Sequence, residues 1–145
     1  MLLTSPAFKT GQPIPLKYAY HSENLSPPLI ISEIPKGAKS LVLIVDDPDA
    51  PSGRWVHWVL FDLPLVHEIK EGGYLGKRGL NSFGFVQYGG PAPPDGEHRY
   101  FFKLYALDLF LNLKEGAALK EVEESLPGHI IAYAELMGRF AKQNL

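Results

Sequence analysis

An all-β core with a small helical appendix is the fold this sequence predicts, and three observations predict it. Short, branched apolar runs, above all Leu41-Val42-Leu43-Ile44-Val45, stand between breaks in the pattern. The 13 prolines and 14 glycines fall mostly in the first two-thirds of the chain and cut it into pieces too short for helices. Helical spacing of apolar residues begins only after Asn112. Strands first and helices last argue for a β core with peripheral, mostly C-terminal helices. A length of 145 residues suits one domain, 1–145.

The elements follow in chain order. Ile14, Leu16, Tyr18 and Tyr20 alternate with Pro15, Lys17 and Ala19, the period-2 pattern of a half-buried strand. Pro27-Pro28 breaks the chain before a short apolar piece, Leu29 to Ile31. Leu41 to Val45 reads as a strand buried on both faces and closed by Asp47-Pro48. Trp55 to Phe61 and Arg99 to Leu107 are two further strands, and Tyr74 to Tyr88 holds one or two weaker ones. Ala118, Leu119, Val122 and Leu126 have helical spacing, as do Ile130, Ala134, Met137 and Ala141. Pro127-Gly128 separates the two helices so predicted.

Composition narrows the function. Apolar residues at 46% and charged residues at 21% describe a soluble globule rather than a disordered chain. A net charge of −2 argues against a nucleic-acid-binding face. Without cysteine there is no disulfide, thiolate metal site or cysteine nucleophile. The N-terminus has no basic, apolar leader, and no aliphatic run approaches the roughly 20 residues of a membrane span. A soluble, cytoplasmic protein is expected.

Polar groups of useful types gather in three places. Asp46-Asp47-Pro48-Asp49-Ala50-Pro51 is a corner stiffened by two prolines, and a cis Ala50-Pro51 bond is expected to sharpen it. In Trp55-Val56-His57-Trp58, strand alternation puts Trp55 and His57 on one face and Val56 and Trp58 on the other. The segment from Gly89-Gly90-Pro91 to His98-Arg99-Tyr100 is a stiff loop opening a strand whose His98 and Tyr100 share a face. A strand-ending turn, a structural histidine and a long hairpin loop are the ordinary readings of each alone. Together they supply histidines, a tyrosine and glycine amides to hold a small anion, with carboxylates to orient the histidines or meet an amine. Two histidines with an aspartate could also ligate a metal, but no compact His-x-His or His-x-x-x-His pair is present. Ser52 and Ser82 are the candidates for a Ser-His-Asp triad, and neither lies in a Gly-x-Ser-x-Gly turn. No cofactor is expected.

Asp47-Pro48-Asp49-Ala50-Pro51, Trp55-x-His57-Trp58, Tyr88-Gly89-Gly90-Pro91-x-Pro93-Pro94 and His98-Arg99-Tyr100 together resemble the phosphatidylethanolamine-binding protein family, in its short prokaryotic, Raf-kinase-inhibitor-like branch. Gly11 to Pro15, Asn24, Ser26 to Leu29, Asn81-x-Phe83 and the segment His129 to Phe140 extend the likeness over nearly the whole chain. The resemblance implies a Greek-key β-sandwich and a pocket for phosphate, a carboxylate or a phosphoethanolamine-like head group. Its ligand-binding residues would be Asp47, Asp49, His57, Gly90, Pro91, His98 and Tyr100, with Arg99 structural. Asp47 would hold one histidine, Asp49 would sit at the rim and the amide beside Gly90 would face the anion. The sequence departs from many relatives at Tyr20 and Ala92, where they have cysteine, and at Ile31, where they have tryptophan. A binding or regulatory module without catalysis is the leading function, ahead of an inhibitor of a serine protease or kinase and of a hydrolase using the histidines. Relatives of this branch often pair, and 12% aromatic residues supply interface material, so a homodimer is expected.

Overall fold

The computed structural model describes residues 1–144 and consists of two antiparallel sheets and little helix. The smaller sheet holds β1 (Leu2–Thr4), β2 (Leu29–Ser32) and β5 (Glu68–Ile69) in that order. The larger one runs β6 (Lys77–Arg78), β4 (Trp55–Leu63), β3 (Ser40–Asp47), β7 (Glu97–Leu107) and β8 (Ile130–Ala141). Two hairpin pairs, β3 with β4 and β7 with β8, thus lie side by side, and the connection from β4 to β7 passes over β3. All eight residues of β3 are buried, as the fully apolar run requires of a central strand.

The core lies between the sheets. Leu3, Leu29, Ile31 and Ile69 of the small sheet pack toward Leu43, Val45, Trp58, Phe102, Leu104 and Leu136 of the large one. On the opposite face of the large sheet, Val42, Ile44, Val59 and Phe61 are covered by Val122 of the helix α1 (Leu119–Glu124) and by Leu126. No helix among the described residues is long and apolar enough to cross a membrane.

The three main strands each run longer than predicted, by two or three residues beyond the apolar runs that mark them. Two expectations are corrected. The second helix is strand β8: its buried residues Ala134, Leu136 and Phe140 recur at period 2, and β7 offers an antiparallel partner along its full length. The strand expected over Ile14 to Tyr20 is a loop carrying one 3-10 turn, Leu16–Tyr18. Pro13 and Pro15 lack the N–H groups a ladder needs, and Leu16 is exposed where alternation would bury it. Between Tyr74 and Tyr88 only the two residues of β6 pair as a strand. No described peptide bond is cis, including Ala50-Pro51. The corner is turned instead by two hydrogen bonds, Asp49 N–H to Asp47 Oδ1 at 2.7 Å and Gly53 N–H to the Ala50 carbonyl at 2.9 Å.

Candidate functional site

The pairing of β3 with β4 slips by one residue at the place where chemistry-bearing side chains collect. Val45 faces Trp58 and Asp46 faces Val56, so His57 is the extra residue of a β-bulge. The bulge undoes simple alternation: Trp58 enters the core between the sheets while Val56 packs under α1. With no ladder partner on β3, His57 is aimed at the open end of the sandwich. There β3 ends in Asp47 and β7 begins with His98 and Tyr100. These residues line a cavity of about 220 Å³ together with Ala50, Pro51, Ser52, Trp55, Phe83 and Ala92 to Pro94.

Four polar side chains at this cavity are almost fully buried: Asp47, His57, His98 and Tyr100. His98 Nδ1 lies 2.7 Å from Asp47 Oδ2. Because a carboxylate only accepts, Nδ1 carries the proton and Nε2 is the atom left for the cavity. His57 Nδ1 lies 2.6 Å from the Gly89 carbonyl, which fixes the same tautomer. Among the described residues the one buried side-chain polar atom without a partner is Asp46 Oδ1. Neither Nε2 makes a protein hydrogen bond and neither is sealed in, so both open into the cavity.

Burial drives the His57 imidazole below its ordinary pKa, outweighing the Gly89 carbonyl and Asp47, which act the other way. A neutral His57 presents an acceptor. Burial, followed by the neighbouring Asp47 carboxylate, drives the Tyr100 phenol far above its ordinary value and keeps it a donor; the backbone N–H of Ala92 beside it acts in the opposite sense. The His57 ring stands edge-on to Tyr100 at 5.2 Å and to Phe83 at 5.4 Å, which holds it in place. Asn81 braces the same wall. Its Nδ2 donates to the His57 and Gln87 carbonyls, and its Oδ1 accepts from the N–H groups of Phe83 and Phe85.

Of the seven residues expected here, Asp47, His57, His98 and Tyr100 come together, and three lie elsewhere. Asp49 points away, its carboxylate accepting from the Arg99 backbone N–H at 3.0 Å and from the guanidinium at 2.8 and 2.9 Å. It staples the acidic corner to the start of β7 instead of standing at a ligand rim. Gly90 N–H donates to Asn24 Oδ1 at 2.7 Å and is unavailable to an anion. A Cβ at Gly90 would come within 2.0 Å of the Tyr18 carbonyl, so glycine there serves close packing. Pro91 lies behind the wall, where its carbonyl accepts from Tyr20 N–H.

Ala92 lines the cavity, with its backbone N–H beside the Tyr100 phenol. A signal for it was present in the sequence: Pro91, Pro93 and Pro94 have no N–H, so Ala92 is the sole backbone donor of that wall. The cavity therefore holds the Tyr100 phenol with the Ala92 N–H beside it, a histidine paired with a carboxylate, and an acceptor at His57. That set suits a small oxyanion carrying a proton of its own. Ser52 lies at the cavity, yet neither it nor Ser82 hydrogen-bonds to a histidine. No three His, Asp or Glu side chains are grouped to hold a metal among the described residues.

Comparisons with known proteins identify the class to which this β-sandwich belongs. The family model for phosphatidylethanolamine-binding protein matches residues 4–141. A UPF0098 protein of Chlamydia trachomatis is 48% identical, with 98% of this chain and 99% of that one covered. UPF0098 protein PH1269 of Pyrococcus horikoshii is 44% identical over 98% of this chain and 77% of its own. The crystal structure of a phosphatidylethanolamine-binding protein homologue from Chlamydia trachomatis superposes with a TM-score of 0.93 at 46% identity, covering 98% of this chain and 97% of that one. E. coli YbcL superposes with a TM-score of 0.90 at 28% identity, covering 98% of each chain. The chain belongs to the phosphatidylethanolamine-binding protein family, in its prokaryotic branch.

Proposed function

We propose that this protein is a binding module for a small, protonated oxyanion, with phosphate or the phosphoryl group of a phosphoethanolamine-like compound as its ligand. The observation that supports this reading is that His57, His98, Tyr100 and Ala92 line one cavity of about 220 Å³. Three of these groups suit the oxygens of monohydrogen phosphate, and His57 suits its P–O–H. His98, with Asp47 behind it, strengthens as a donor when an anion approaches, because the carboxylate stabilises the imidazolium. Relatives named for phosphatidylethanolamine binding agree with a phosphoryl ligand. Calorimetric titration of inorganic phosphate and of phosphoethanolamine tests the reading. Wild type should bind both, and His98→Ala should bind at least about tenfold more weakly, the typical cost of about 1.5–3 kcal/mol for a lost charge-assisted hydrogen bond. Equal affinities in the two proteins would place the site elsewhere.

A further inference from the structure

We propose that His98 is also a covalent site: its Nε2 takes a phosphoryl group from an activated small donor, an acyl phosphate or a phosphoramidate, and holds it as phosphohistidine in the cavity. This rests on the reading of the cavity as an oxyanion site and adds a chemical step to it. A nucleophilic imidazole must keep its proton on one nitrogen, direct the other at phosphorus and have the positive charge of the product neutralised. His98 meets each condition. Asp47 Oδ2 holds the Nδ1 proton at 2.7 Å, Nε2 opens into the cavity, and the carboxylate faces the imidazolium that forms. Tyr100 and Ala92 line the same cavity, where the phenol would meet the oxygens of the group in transfer. His57 meets the third condition less well, because its Nδ1 proton goes to the uncharged Gly89 carbonyl and Asp47 acts on it without a hydrogen bond.

With phosphoramidate the step balances simply. The Nε2 lone pair forms a bond to phosphorus as the phosphorus–nitrogen bond breaks, the leaving group departs as ammonia, and the new imidazolium shares its Nδ1 proton with Asp47. No redox change and no further reactant is involved.

The chain carries its own control. His129 Nδ1 pairs with Asp108 Oδ1 at 2.9 Å, but both side chains are more than two-fifths exposed and belong to no donor-lined cavity. If labelling followed exposure alone, His129 and the exposed His21 and His67 would react first and the two buried histidines, His98 and His57, last. The experiment treats the wild-type protein with potassium phosphoramidate and maps labelled histidines by mass spectrometry without acid. We expect His98 to be labelled at least about tenfold faster than His129, excess inorganic phosphate to slow His98 alone, and Asp47→Asn to slow His98 about tenfold with His129 unchanged. Labelling of His98 no faster than His129 would overturn the proposal, and a wild-type rate in Asp47→Asn would overturn the role of the pair. If calorimetry shows phosphate binding while His98 stays unlabelled, the covalent step falls and the binding reading stands. If neither occurs, both fall.

Discussion

His57 and His98 differ in what stands behind them, and that difference would govern which anion the proposed site selects. A carbonyl behind a buried imidazole leaves it neutral, so His57 accepts; a carboxylate behind His98 supports its donation. The pair therefore suits an anion that both accepts and donates, as phosphate does near neutral pH and sulfate does not. Sulfate should bind at least about tenfold more weakly than phosphate, since it leaves the His57 acceptor unpaired and costs about 1–3 kcal/mol. Competition calorimetry at equal ionic strength reads this, and equal affinities would show that His57 does not discriminate. At this scale the sequence disclosed the titratable groups, because histidines are few and the Asp-Pro corner and His-Arg-Tyr start are conspicuous. It did not disclose that Ala92, rather than Gly90, lines the cavity. Backbone donors carry no side-chain signature, and only the absence of N–H in Pro91, Pro93 and Pro94 marks Ala92. Asp49 was assigned to the rim because carboxylate type is visible while direction is not. Arg99, two residues before Phe101 on the outward face, is what draws it away.

Among the elements, β3, β4 and β7 were legible because burial on both faces or clean alternation has one interpretation. The segment Ile130 to Ala141 was not. Ile130, Ala134, Met137 and Ala141 fit a helix on paper, whereas Ala134, Leu136, Gly138 and Phe140 fit a strand, and the pairing with β7 decides between them. The substitution Gly138→Ala separates the two by the sign of its effect. In a helix, alanine for glycine stabilises by about 1 kcal/mol. In β8 a Cβ at Gly138 would come within 2.4 Å of Ile14 Cγ1 and 2.8 Å of Phe8 Cε2. Overpacking of this kind costs about 1–3 kcal/mol. Thermal unfolding should therefore show a lower midpoint, and a raised one would contradict the strand. The bulge at His57 was likewise beyond sequence reasoning, because alternation assumes an unbroken register. Without it Val56 and Trp58 would share a face.

For the molecule as a whole, the open end of the sandwich trades stability for a buried site. His57 is depressed below its ordinary pKa in the folded state, so the unfolded chain binds the proton more readily. Its contribution is fully present above about pH 6.5 and is lost as pH falls from there toward the folded value. Asp49 acts in a lower window. The Arg99 guanidinium hydrogen bonds hold it at about 2, so its contribution is present above its ordinary value of 3.8 and lost as pH falls toward 2. The Asp49–Arg99 pair is solvent-screened, which keeps its contribution small. Denaturant melts from about pH 8 to 5 should show wild type losing stability below about pH 6.5, and His57→Gln should lose less over the same range. Parallel pH dependence in the two proteins would assign that loss to another group.

The central claim is that His57 and His98 together bind one small oxyanion through their Nε2 atoms. Imidazole nitrogen NMR during a phosphate titration of the wild-type protein tests it most directly. Saturable, parallel shifts are expected at Nε2 of His57 and His98, with Nδ1 of both remaining protonated and His21, His67 and His129 unmoved. Shifts confined to the exposed histidines, or saturation at only one of the two buried ones, would contradict it.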